Sequence, residues 1–280
     1  MKNNLIKVIA LSICFAFQLS AHNPPEIKET SPLYIKKNKV NKSSADAGER
    51  TSKQVIKLNL SQLALRNISL QYEYGFHKNM SGALGISYLM PLKIPSVVFE
   101  PSANGEGYQL PKFSGWSVTP EFRFYPGKKE AHQAPHGFYL APYMRYSKYT
   151  LSADYYDLLS NGNMRLYKAS ASFSGITGGL MIGSQWIIGK HFSIDWWIIG
   201  GGVGKGKLTL ESKSDDPTLN LSAQEQADLK TDINTNIGEL QNFSNGTINI
   251  ETTSNSAKAT IKGIPMTSYR AFGLNLGFAF

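Results

Sequence analysis

The sequence predicts an all-β protein, a transmembrane antiparallel up-and-down β-barrel of a Gram-negative outer membrane with eight strands as the leading count. Three observations predict it. Apolar and polar residues alternate with a period of two in segment after segment, the mark of strands with one apolar face. Those segments approach the ~9–11 residues that cross a bilayer obliquely and exceed the ~5–6 usual in soluble sheets. The connections alternate short and long, as periplasmic turns and outer loops do.

The chain opens with the features of a secretory signal over residues 1–21: a basic start at Lys2 and Lys7, an apolar run from Leu5 to Phe17, and the small Ala21 before polar sequence. That run is shorter than the ~20 residues a helix needs to span lipid, so it reads as a cleaved segment and not as an anchor. Cys14 within it is the only cysteine, and Ile13 stands where a lipoprotein cleavage site needs a small side chain. The exported chain is therefore expected to fold without disulfides. Residues 22–54 are rich in Lys, Asn, Ser and Pro and can bury too little to order themselves, which predicts a flexible periplasmic leader. The chain carries a formal charge of +9 without a nucleic-acid module, so the surplus is assigned to outer-membrane lipid, lipopolysaccharide or another polysaccharide, with no nucleic-acid partner.

In the barrel domain, residues 55–280, Val55 to Leu63 sets Ile56, Leu58 and Leu60 against Lys57, Asn59 and Ser61, and a tight outer turn at Arg66 and Asn67 follows. Asn67 to Phe76 places Ile68, Leu70, Tyr72, Tyr74 and Phe76 on the lipid face against Ser69, Gln71, Glu73 and Gly75. Ser81 to Met90 alternates Leu84, Ile86 and Tyr88 with Gly85 and Ser87; Gly115 to Tyr125 alternates Trp116, Val118, Phe122 and Phe124 with Ser117, Thr119, Glu121 and Arg123. Phe138 to Tyr149 sets Leu140, Met144 and Tyr146 against Ala141, Arg145 and Ser147. Phe173 to Ile187 turns Ile176, Leu180, Ile182 and Trp186 outward, and Phe192 to Val203 does so with Ile194, Trp196 and Ile198. Ser268 to Phe280 ends the chain with Phe272, Leu274, Leu276, Phe278 and Phe280 against Ala271, Gly273 and Asn275. Pro120 and Pro142 fall nearly opposite each other inside two strands, which predicts a shared bulge or local break.

The short connections, residues 77–80, 126–136 and 189–191, fall on one side, and the long ones, 91–112, 150–172 and 204–267, on the other. Both termini are then periplasmic. In the last loop Ser222-Ala223-Gln224-Glu225 reads as a capping box, followed at helical spacing by Leu229, Ile233, Ile237 and Leu240, a short amphipathic helix that would cover the barrel mouth or, alternatively, dock a partner. Thr247 to Glu251 and Ala259 to Lys262 could pair as one more hairpin, which leaves eight or ten strands open.

Strand phase sends Glu73, Glu121, Arg123, Arg145 and Asp195 into the lumen, where they read as a paired ionic network plugging a narrow barrel, with a conducting path as the alternative. His77, His132, His136 and His191 lie on the periplasmic turns and read as solvated residues, not metal ligands. Asp154 and Asp157 flank Tyr155 and Tyr156 in what reads as a loop. The glycine run from Gly200 to Lys207 has the spacing of a phosphate loop, but Leu208 replaces the Ser or Thr that would hold magnesium and no helix follows. Its glycines are assigned to curvature or to close neighbours in the wall. No catalytic residue, metal or cofactor is expected.

The segments RNISLQYEYGF, MSGALGISYLMP, WSVTPEFRFYPG, GFYLAPYMRYSKY and FSIDWWIIGGGVG, with the ending RAFGLNLGFAF, resemble an uncharacterised family of small outer-membrane barrels carried as a domain of unknown function. The resemblance covers most of the chain from about Val55. It implies an OmpA- or OmpX-like barrel inserted by the barrel-assembly machinery, for which Phe278 and the terminal Phe280 would form the signal, and it carries over no catalytic residues. The function expected is a non-enzymatic outer-membrane barrel whose outer loops meet a protein or polysaccharide partner. The alternatives are a narrow channel or transporter for small molecules and a lipid-modifying outer-membrane enzyme.

Overall fold

The computed structural model describes residues 53–94, 110–126, 135–158, 164–216, 218–237 and 246–280. The signal, nearly all of the leader, His132 and Leu240 lie outside the described residues. Within them the chain forms one antiparallel sheet of nine strands that closes in a ring. The strands are β1 (Gln54–Asn59), β2 (Asn67–His77), β3 (Met80–Lys93), β4 (Lys112–Phe124), β5 (Gly137–Leu158), β6 (Met164–Ile188), β7 (Phe192–Ser214), β8 (Ile248–Thr252) and β9 (Ser256–Ala279). Each strand pairs with the next from β1 to β7, β7 pairs with β9, and β9 returns to β1 with Val55 opposite Ala279 and Asn59 opposite Asn275. β8 pairs with β9 alone, at the end of β9 away from that closure.

Alternation decides which face each residue takes. On β2 the residues Ser69, Gln71 and Glu73 are buried inside the ring while Ile68, Leu70, Tyr72, Tyr74 and Phe76 are exposed on its outer surface. This inverts the soluble pattern, because the apolar face looks out and the polar face looks in.

Three departures from strict alternation matter. The first strand stops early: the Asn59 side chain accepts the Gln62 N–H at 2.7 Å and caps a one-turn helix, α1 (Leu60–Ala64), so Leu60 to Leu63 leave the strand predicted for them. In β7 the pairing with β6 skips Ile198, since Ile182 faces Ile199 and Gly183 faces Trp197. Ile198, read as lipid-facing, is half-buried and Ile199 takes the outward place. In β9, Phe272 adopts the left-handed region at φ 52°, which reverses the phase beyond it. Ala271, read as inward, is exposed, and Arg270 turns inside.

Pro120 and Pro142 produce a break without a bulge. The ladders on their other sides run through them, with Leu84 opposite Pro120 and Pro142 opposite Leu180. Between β4 and β5 pairing lapses on both sides of Glu121 and Tyr143 and resumes at Phe124 and Leu140 in the same register. Both missing donors fall on this one seam, which confines the loss of ladder bonds.

Much of what reads as outer loop is strand. β5 and β6 pair out to Leu158 and Met164, through the Asp154 to Asp157 segment, and β7 and β9 pair out to Lys213 and Ser256. These four strands of 22, 25, 23 and 24 residues, with β8 added, project a sheet well beyond the shorter β1 to β4. A second helix, α2 (Ala223–Ile237), lies against the sheet. The Ser222 N–H and hydroxyl donate to the Glu225 carboxylate at 2.9 and 2.8 Å, and the Glu225 N–H donates back to Ser222 Oγ at 3.3 Å. Those bonds hold the Glu225 carboxyl below its ordinary range. Leu229, Ile233 and Ile237 of α2 pack with Leu208, Leu210, Ile250, Ala259 and Ile261 in a dry cluster. The projecting sheet therefore has a hydrophobic core of its own.

Candidate functional site

The inward face of the ring carries a cluster of charged side chains that no soluble sheet interior of this width would hold unpaired. Lys57 comes from β1, Glu73 from β2, Glu121 and Arg123 from β4, Asp195 from β7 and Arg270 from β9, and all six are buried. The inward-facing residues of these strands meet because a closed ring has only one inside.

Arg123 is the hub. Its Nε and Nη2 donate to Glu121 Oε2 at 3.0 and 2.8 Å, its Nη1 donates to Asp195 Oδ2 at 2.8 Å and to Glu73 Oε2 at 3.2 Å, and its Nη2 also reaches Gln71 Oε1 at 2.9 Å. The guanidinium lies 4.4 Å over the Tyr139 ring. Lys57 Nζ donates to Glu73, to Asp195 Oδ2 at 2.7 Å and to Gln185 Oε1 at 2.8 Å. Arg270 pairs with Glu121 Oε1 and stacks 3.9 Å from the Trp197 ring.

Every carboxylate oxygen is taken. Glu73 Oε1 accepts from Ser81 and from Tyr125 at 2.6 Å, Asp195 Oδ1 accepts from Tyr139 at 2.7 Å, and the remaining four oxygens accept from Lys57, Arg123 and Arg270. Three cations balance three carboxylates, so the cluster is neutral. All six oxygens are buried and tied to partners within the ring. Val55, Ile187 and Ala279 form a separate buried cluster next to the paired chain ends of β1 and β9.

Of the five charged residues read from the sequence as lumenal, the structure brings Glu73, Glu121, Arg123 and Asp195 into one network. Arg145 faces inward but stands apart, with Nη2 donating to Ser117 Oγ at 2.9 Å. Sequence reasoning left out Lys57, Arg270, Gln185, Tyr125 and Tyr139. Lys57 was legible as the one charge on the inward phase of β1. Arg270 was not, because counting back from Phe280 puts it outward until the left-handed Phe272 reverses the phase.

The remaining candidates have structural partners. His136 Nδ1 accepts the Ile187 N–H at 3.1 Å, His191 bonds the Ala279 carbonyl at 3.0 Å and stacks on Phe278, and His77 Nδ1 accepts the Asn79 N–H at 3.3 Å. Among the described residues no three of His, Cys, Asp and Glu stand together as metal ligands. The Gly200 to Lys207 run lies within β7, where a Cβ at Gly204 would meet the Ile176 carbonyl oxygen at 1.9 Å, so close strand approach accounts for a glycine there. Phe280 exchanges backbone bonds with Gln54 at 2.9 and 3.2 Å, and Phe278 is exposed on the outer face.

These features define a ring-closed antiparallel sheet with an apolar exterior and a neutral ionic interior. A family model described as a protein of unknown function (DUF3575) matches residues 39–209, and the chain belongs to that family. The match ends within β7, so β8, α2 and the closing strand β9 lie beyond it. No curated protein and no solved structure matches the chain.

Proposed function

We propose that the protein is a non-enzymatic, eight-stranded outer-membrane β-barrel, OmpA- or OmpX-like in its ring, that displays its projecting sheet and α2 outside the cell as an interaction surface. The observation that carries this reading is the inverted distribution of side chains. Large apolar residues on the outer surface are half or more exposed, among them Leu70 at 52%, Met144 at 54%, Leu180 at 57% and Phe278 at 56%, while six charges are buried inside. In water such a surface would aggregate; in lipid it is the favourable one. From Ile188 up to Ile176 on β6 the outward face climbs about 12 residue steps, or ~28 Å along the axis at a ~45° tilt, close to the ~25 Å apolar band of such barrels. The ring leaves no strand edge open at its closing seam, as hydrocarbon demands.

A neutral, buried cluster reaching in from the strands fills a narrow barrel and acts as a plug, which argues against a conducting path. The experiment that tests this reading places single cysteines at Leu180, Met144 and Lys213 in the full chain folded in vesicles. Polar maleimides are expected to label position 213 and to spare 144 and 180. Equal labelling at all three would overturn the membrane-spanning assignment.

A further inference from the structure

The outer surface of the tall strands is layered, and the layers have the chemical order of a phosphorylated glycolipid. At the upper edge of the apolar band stand the Trp116 and Tyr146 rings, 5.2 Å apart, with Ile176 opposite Tyr146. Two residues beyond Tyr146, and opposite Trp116, begins a row that crosses four more strands: Lys148 opposite Ser174, Ser174 opposite Lys207, and Lys207 opposite Lys262. Lys205 lies on the same face two residues from Lys207 and opposite Ile176. All four lysines are exposed, and Ser174 is buried beneath them. The next row up consists of hydroxyls and an amide: Thr150, Ser172, Thr209, Thr260 and Asn249.

This arrangement is unfavourable in isolation. Lys207 and Lys262 are directly opposed across an antiparallel pair, where like charges repel, and Lys148 lies only two strand spacings, about 10 Å, from Lys207. A second opposed pair, Lys93 and Lys112, stands at the outer ends of β3 and β4. Carboxylates do occur on the outward face, but one row beyond the hydroxyls, where Glu211 faces Lys258 and Lys258 faces Glu251. Among the described residues none stands in the lysine row. The sheet thus neutralises its charges where it is far from the apolar band and leaves them uncompensated at the band's upper edge.

We infer that the Lys148, Lys205, Lys207 and Lys262 row is a binding site for the phosphate groups of a membrane glycolipid in the outer leaflet. This rests on the membrane-spanning reading above. The acyl chains of the lipid lie against the apolar band, its phosphates sit among the lysines at the interface, and its sugar hydroxyls meet the Thr150 to Thr260 row. An anion placed between Lys207 and Lys262 converts a repulsive pair into an attractive triad, and the interfacial setting strengthens each contact relative to bulk water. The occupant is a lipid and not free phosphate, because the lysines border an apolar surface continuous with them and the hydroxyl row lies just beyond.

The test uses the full chain folded in phosphatidylcholine vesicles containing lipid A, solubilised in mild detergent, and purified, with bound lipid A measured by mass spectrometry. Wild type is expected to retain lipid A, and the triple variant Lys148→Gln, Lys207→Gln, Lys262→Gln to retain at least several-fold less, with the arginine triple restoring retention. Dephosphorylated lipid A offered to the wild type is expected to be lost in the same way, and this arm does not depend on a variant folding. Excess inorganic phosphate is expected to leave retention unchanged. Equal retention of phosphorylated and dephosphorylated lipid A, or by the glutamine triple, would overturn the site. Displacement by inorganic phosphate would overturn the lipid as its occupant. If the wild type fails to enter vesicles at all, as judged by extraction at alkaline pH, the membrane reading fails first, and that result is separate from lipid retention.

Discussion

Arg123 concentrates the interior in one side chain. It is fully buried and bonds two strands' glutamates, an aspartate and a glutamine while stacking on Tyr139. Removing it leaves three buried carboxylates with only Lys57 and Arg270 as countercharges, and breaking a buried ionic network from one side costs about 3–5 kcal/mol. Arg123→Ala is therefore expected to lower stability by that amount, read from urea or guanidinium unfolding in vesicles. Arg123→Lys is expected to recover only part of it, since an ammonium cannot span the same set of partners in a plane. An Arg123→Ala variant as stable as wild type would mean that the network is incidental. At this scale the sequence was readable wherever strict alternation held: Glu73, Glu121, Arg123 and Asp195 fall inside on a count of two. It failed where a single residue changed phase, as Phe272 does for Arg270, because a left-handed phenylalanine has no compositional mark.

The elements divide into a ring of membrane-scale strands and a taller sheet with a packed helix. The ring was legible because large apolar residues alternate strictly outward with polar ones inward. The extension was not, since Ala169, Ser170, Ala171 and Ser172 place small residues on both faces and erase the period of two. The helix was found by its capping box and apolar spacing, but its seat on a sheet was hidden with the strands. Two ion pairs clasp the outer connection, Arg165 to Asp216 at 2.7 Å and Lys168 to Asp215, and Thr218 with Arg165 holds the Asp216 carboxyl down to about 2. If α2 and the sheet form one core separate from the ring, Ile233→Ala should loosen the first and spare the second. We expect a local loss of about 2–5 kcal/mol, seen as faster hydrogen exchange in α2 and β8 with protection in β1 to β4 unchanged. Uniform loss of protection would show a single cooperative unit.

Across the whole molecule the sign of the environment reverses twice. Charges lie inside the ring, apolar side chains outside it, and beyond the apolar band the sheet returns to a soluble arrangement with Ile233 and Ile261 buried and lysines exposed. One surface with an apolar belt between polar ends is what a bilayer selects, and at the strand tilt usual for membrane barrels the belt's width matches the hydrocarbon layer. The family match spans the ring up to β7 and carries no activity with it, so the projecting sheet is where a partner would be sought. The central claim is that the ring is a folded membrane barrel, and migration of the protein from isolated outer membranes in detergent gels, unheated against boiled, tests it most directly. Unheated protein is expected to run as a compact, faster band that shifts on boiling, and to stay with the membranes through alkaline extraction. A single band at one position in both samples, released by that extraction, would contradict the account.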